Sequence, residues 1–159
     1  IGFVRDEPTH AQDARRLRIS VIDREPLLLA LPARHVLAGR CSVRLAEVAG
    51  DAFVSQPREL AATLYDRLVK LAAKAGFHPT IAQHAQQING LLALVAAGLG
   101  LALVPASMRA VRLAGVSYVP LEDADAYLLL AVASRADDQS PALLQFLATV
   151  AEAAIAPGL

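Results

Sequence analysis

The strongest periodicity in the chain runs from Gln87 to Arg109, QINGLLALVAAGLGLALVPASMR. Ile88, Leu91, Leu92 and Val95 recur at the three- and four-residue steps of a helix face, and alanines fill much of the remainder, which predicts a helix buried on most sides. Gly98 follows the last periodic position, where a left-handed residue needs no β-carbon, so the helix is expected to stop there. Leu101 to Val104 is an apolar run of strand length, ended by Pro105 and followed by a short helical turn to about Ala110. Helix, glycine stop, strand and turn make one piece of an α/β sheet.

Two other runs share the apolar character of that strand. Glu25 to Leu31, EPLLLAL, and Ala126 to Ala133, AYLLLAVA, are too apolar to face water on either side and predict interior strands. Before the first of them, Ile1 to Arg5 reads as a short strand and Asp6 to Arg16 as a polar surface loop. Leu17 to Asp23 alternates like a half-buried strand. Between the two runs, Leu45, Val48 and Ala49 predict a short helix, and Phe53-Val54-Ser55 a brief strand. Thr63 opens the next helix, with Asp66 three residues later as an imperfect capping box, Leu64, Leu68, Leu71, Ala72 and Ala75 on one face, and Gly76 as its stop. Thr80 to Ala85 is a strand, Val116 to Val119 another, and Glu122-Asp123-Ala124-Asp125 an acidic turn. Ser140-Pro141 caps a final helix with Leu143, Leu144, Leu147 and Val150 on its buried side. Alternating helix and strand between two buried strands admits two architectures: a chain that crosses once into a second lobe and returns, forming a hinged cleft, or a single doubly wound domain.

Composition narrows the function classes more than the fold. With 159 residues, 55% hydrophobic and 19% charged, the chain has material for one domain or two small lobes, and disorder is not expected. Fifteen basic residues balance fifteen acidic ones, and the bases are scattered apart from Arg15, Arg16 and Arg18, so the chain by itself is a poor nucleic-acid binder. A lone Cys41 excludes an internal disulfide and a cysteine-based zinc cage and fits a reducing compartment, so a cytoplasmic location is expected. No export signal opens the chain and no apolar stretch reaches membrane-spanning length without interruption, so no membrane partner is expected. It begins inside a strand pattern without an initiator methionine, which reads as a piece of something longer.

Bond chemistry finds no residues to carry it. His10, His35, His78 and His84 are dispersed, with no carboxylate or cysteine at ligand spacing, so no metal is expected. Gly98-Leu99-Gly100 lacks the third glycine of a dinucleotide loop and follows a helix, where that loop follows a strand. There is no G-x-S-x-G elbow and no HExxH, and the acidic turn reads as solvated. With three tyrosines and no tryptophan, a base-stacking platform is also not expected. No catalytic residue and no cofactor is assigned.

Three stretches carry a resemblance: EPLLLALPARHVLA, GFHPTIAQHAQQINGLLALVAAGLGLALVPASM and GVSYVPLEDADAYLLLAVASR. Together they resemble the effector-binding domain of LysR-type transcriptional regulators, over nearly the whole chain, and the closing segment is similar to the regulators of catechol, benzoate and chlorocatechol breakdown. The resemblance implies an α/β, periplasmic-binding-protein-like fold of two Rossmann-like lobes. Hinge strands would lie at about Leu28 to Pro32 and Leu128 to Ser134, with residues 1–31 and 127–159 as an incomplete lobe I and 32–126 as lobe II. The DNA-binding winged helix-turn-helix, the linker helix and the first elements of lobe I have no counterpart here. It further implies a small carboxylate effector in the inter-lobe cleft, a muconate-like dicarboxylate among the candidates. DNA would be a partner only through the N-terminal domain, and the full-length protein would be a homodimer or homotetramer.

In the matching region of that family, the loop and helix start after the Phe-Val strand form the lobe II wall of the cleft, here Ser55 to Leu64. A helix N-terminus offers unpaired amides and a partial positive charge, so an effector carboxylate is expected near Ala62, Thr63 and Leu64. Ser55 and Thr63 would add hydroxyl donors, Arg58 a charge, and Gln87 and Ile88 the next part of the wall. Ordinary capping by Thr63, a solvated Arg58 and core packing by Ile88 stand beside these roles. A solute-binding protein of a transport system shares the fold and is the alternative from another class; an α/β enzyme with its site at the strand ends is a third.

Overall fold

A computed structural model describes residues 1–5 and 16–155. The polar loop expected from Asp6 falls outside the described residues as far as residue 15, as does His10. The strands are β1 (Gly2–Arg5), β2 (Leu17–Pro32), β3 (Ala52–Ser55), β4 (Thr80–His84), β5 (Ala102–Pro105), β6 (Val116–Pro120) and β7 (Tyr127–Arg135). The α-helices are α1 (Ala62–Lys74), α2 (Ile88–Ala96) and α3 (Pro141–Ile155), and single 3₁₀ turns cover Leu45–Val48 and Ala106–Ala110. The chain divides into two compact units, one of Ile1–Glu25 with Leu128–Leu159, the other of Pro26–Tyr127.

The two strands expected at Leu17 to Asp23 and Glu25 to Leu31 are one continuous strand, β2. Pro26 does not interrupt it, because the residue before a proline is already biased to extended backbone. Pairing with β5 begins at Leu27 and pairing with β6 at Leu28, just beyond the proline. Proline thus stands where β2 passes from the first unit to the second.

In the first unit β1 runs antiparallel to β7, with Phe3 opposite Val132, and β7 neighbours β2. Ala136 N–H donates to the Arg16 carbonyl at 2.8 Å beyond the strand ends. Helix α3 begins as Ser140-Pro141 predicts, its first bond running from Leu144 N–H to the Ser140 carbonyl at 3.1 Å. Leu143 is buried, and Phe146 meets Phe3 edge to face with centroids 6.3 Å apart.

The second unit is built on β2, flanked by β5 and β6, both antiparallel to it. A parallel bridge from Phe53 to Leu101 joins β3 to the start of β5, and β4 runs parallel to β3. Alternate residues go to opposite faces. Leu28, Ala30, Val54, Ala102 and Val104 pack with Leu91, Leu92 and Val95 of α2. Helix α1 contacts β5 and the 3₁₀ turn at Leu45, and its Leu68, Leu71 and Ala72 are buried.

Helix α2 corrects one expectation. It is covered on one side rather than on most, since Asn89, Gly90, Ala93 and Ala97 face solvent. Small residues lose little by exposure, so alanine content does not report burial. Its end is as predicted: Gly98 takes φ +80°, and the bonds Gly98 N–H to Val95 O and Leu99 N–H to Leu94 O close it. The Arg34 guanidinium donates to the last carbonyl, Ala97 O, at 3.4 Å. Gly100 has a different role. A β-carbon there would stand 2.9 Å from the Ala52 carbonyl oxygen, so glycine is what lets this segment lie against β3.

Candidate functional site

Parallel pairing gives the second unit a polarised edge. Because β3 and β4 run the same way, Ser55 and His84, opposite each other in register, both end their strands at that edge. Each strand then turns into a helix: residues 56–61 lead into α1 and residues 85–87 into α2. In open α/β sheets the carboxyl ends of the strands are where ligands are held. The two loops are tied together, with Ala85 N–H donating to the Ser55 carbonyl at 3.1 Å and the Gln56 amide nitrogen to Gln86 O at 2.9 Å.

Both helices start without a side-chain cap. The first bond of α1 runs from Tyr65 N–H to Ala61 O at 3.0 Å, so the amides of Ala62, Thr63 and Leu64 precede it. In α2 the first bond is Leu91 N–H to Gln87 O at 3.0 Å, and the amides of Ile88, Asn89 and Gly90 precede it. The expected capping box at Thr63 and Asp66 is not formed, because the helix starts at Ala62 with Ala61 as its cap residue. Asp66 is turned instead to Arg58, whose Nε and Nη2 donate to its two oxygens at 2.7 and 3.0 Å. Two charged donors outbid one backbone amide. That pair holds the Asp66 carboxyl below the usual carboxylate range and pushes the Arg58 guanidinium up.

Of the seven residues expected to face an effector, Ser55 lies buried at the end of β3, and Ala62, Thr63 and Leu64 make the first turn of α1. Gln87 is the extended residue before α2. Ile88 is partly buried against the core cluster. Arg58 stands on the loop between β3 and α1, with its charge engaged by Asp66. Gln56, His84 and Gln86 share this edge and were not singled out from sequence. Their mark is the strand-to-helix junction itself, which pattern alone does not align across two strands.

The acidic turn is a fastener. Asp123 accepts the Leu45 N–H at 2.9 Å, Glu122 accepts the Ser42 hydroxyl, and Asp125 pairs with Lys74. Among the described residues no group of histidine, cysteine, aspartate and glutamate is arranged to hold a metal, and no helix is long and apolar enough to cross a membrane.

A model of the LysR substrate-binding domain family matches residues 1–155. The chain belongs to that family. It is 35% identical over 147 residues to the HTH-type transcriptional regulator BudR of Raoultella terrigena, covering 92% of this chain and 50% of BudR. The chain spans about half the length of the curated relatives it matches. The BenM effector-binding domain, solved with its effector benzoate, superposes with a TM-score of 0.83 at 26% identity, over 96% of this chain and 68% of that one. Full-length CbnR, solved with its target DNA, gives 0.80 at 26% identity, over 97% of this chain and 53% of CbnR. The fold class is therefore the α/β, periplasmic-binding-protein-like one that the motifs implied. The relatives are transcription regulators.

Proposed function

We propose that this chain is the effector-sensing part of a longer cytoplasmic LysR-type regulator, performing no bond chemistry of its own. Its effector is a small organic acid, and the catabolic character of similar regulators makes muconate-like dicarboxylates and benzoate the first candidates. Residues 1–31 with 127–159 serve as one lobe and 32–126 as the other. The observation that carries the reading is the edge where α1 and α2 both begin without side-chain caps, beside the ends of β3 and β4. Amides of Ala62, Thr63 and Leu64, and the hydroxyls of Ser55 and Thr63, supply donors for a carboxylate. Gln87 and Ile88 complete the wall, and Arg58 adds charge when an incoming carboxylate competes with Asp66. Binding then acts on DNA contacts made by the rest of the homodimer or homotetramer, through a difference in effector affinity between two arrangements of the protein.

Titration of the chain with cis,cis-muconate and benzoate, followed by amide-resolved NMR, tests this. Saturable shifts at residues 55–64 and 87–90 are expected without any turnover of the acid. Thr63→Val should weaken binding about tenfold to a hundredfold, the worth of one hydrogen bond to a charged group. Saturable binding that leaves those amides unmoved would remove the strand-end edge from consideration.

A further inference from the structure

Arg58 and Asp66 meet where loop and helix join, and their geometry is that of a bound acid. Arg58 Nε and Nη2 donate to the two oxygens of the Asp66 carboxylate at 2.7 and 3.0 Å. Arginine takes up the carboxylate of an organic acid in the same two-pronged way. The loop that carries Arg58 is itself bonded: Leu60 N–H and Ala61 N–H both donate to the Pro57 carbonyl, at 3.0 and 3.1 Å, and Gln56 reaches Gln86 O. Asp66 lies one turn beyond Ala62, so it shares a side of α1 with the first-turn residues Ala62 and Thr63. A carboxylate of the chain itself thus fills the guanidinium fork next to the uncapped amides.

The pair is open to exchange. Its side chains are 62% and 36% exposed, so water screens it and its worth is small. Lys70 follows Asp66 by four residues, the order in which an acid and a base pair along a helix, so an Asp66 carboxylate turned out of the fork has that ammonium to meet. A free monoanion gains little at Arg58, because Asp66 is tethered there at high local concentration. An acid already held by the α1 amides through one carboxylate presents its second at a comparable local concentration. We propose that Asp66 is an internal competitor for the second carboxylate of the effector at Arg58, and so sets how strongly the site favours small dicarboxylates over monocarboxylates. Asp66 acts through Arg58 and is a positioning residue, and its role rests on the strand-end edge being the effector site.

Titration of the 159-residue chain with cis,cis-muconate and with its monomethyl ester, followed by calorimetry and amide-resolved NMR at fixed ionic strength, tests the assignment. The ester keeps the carbon skeleton and one carboxylate. Asp66→Asn should tighten muconate about two- to fivefold, the worth of an exposed ion pair that no longer has to be broken, and change the ester by less than about twofold. Arg58→Gln should weaken muconate toward the ester, and Asp66→Asn added to it should bring no tightening. A pair that only braces the loop gives the opposite sign, with Asp66→Asn weakening both acids, and that result overturns the proposal. So does tightening that is equal for the two acids or that survives without Arg58, the effect of removing a negative charge near any anion. Saturating shifts at residues 62–64 that Asp66→Asn leaves unaltered in affinity remove the competitor and leave the strand-end reading standing. No saturating shift there with either acid removes both.

Discussion

Leu92 and Val95 of the second unit are completely shielded from solvent, while Phe3 and Leu144 of the first, just as apolar, are 60% and 51% exposed. Leu92, Val95 and Leu144 all sit where helical periodicity asks for burial. What differs is the number of layers. In the second unit α2 covers one face of the strands, and α1 with the 3₁₀ turn at Leu45 packs on the same sheet, so residues of both parities along β2 and β5 are buried. In the first unit, among the described residues, α3 is the one helix, and its Phe146 meets Phe3 of β1. An apolar pattern says which side chains gain from burial; only a neighbouring element delivers it. The first unit therefore draws less stability from its apolar residues than the second.

Paired truncations break or support that contrast most sharply. Leu92→Ala should cost about 2–5 kcal/mol, as removal of a fully packed leucine does, whereas Leu144→Ala should cost below about 1 kcal/mol. Urea midpoints of the two variants measure the difference, and equal losses would contradict the contrast in layers. Within the second unit, Gly100→Ala should cost about 1–3 kcal/mol, because the added carbon meets the β3 backbone and not a side chain able to move aside. Its unfolding curve should shift without a change in slope.

The smallest effect is expected at the rim, from Asp66→Asn. The folded-state pKa of Asp66 is depressed by Arg58, so its contribution to stability is present above the unfolded value of about 3.9 and is lost as pH falls through the folded value. The Asp66→Asn variant should be slightly less stable near neutrality, and its urea midpoint should converge on that of the parent chain below about pH 4. Screening at this exposed pair keeps the effect small. A gap that widens on acidification would reverse the assignment.

How far each feature was legible depends on the distance over which it is decided. Gly98 closes α2 as read, because a helix end is set within a few residues. Thr63 and Asp66 have capping-box spacing, yet the box does not form, because the helix already starts at Ala62, and the Asp66 carboxylate pairs with Arg58 on the preceding loop. The acidic turn reads as solvated from its composition, but Leu45 and Ser42, far back in the chain, take two of its carboxylates. Of the expected effector wall, the helix start at Ala62 to Leu64 was accessible to local reasoning. Its neighbours Gln56, His84 and Gln86 were not.

By itself the sequence determined the order of helices and strands, the glycine and proline stops, the apolar runs of β2 and β7, and the motifs that carry family membership. All of these arise from spacing and local backbone preference. Only the tertiary structure decided that β3 and β4 run parallel, which brings two uncapped helix starts to one edge, and that Gly100 lies against β3. It also decided which apolar positions are covered. Those follow from pairing between residues distant in the chain, for which a period of two or of three and a half carries no information.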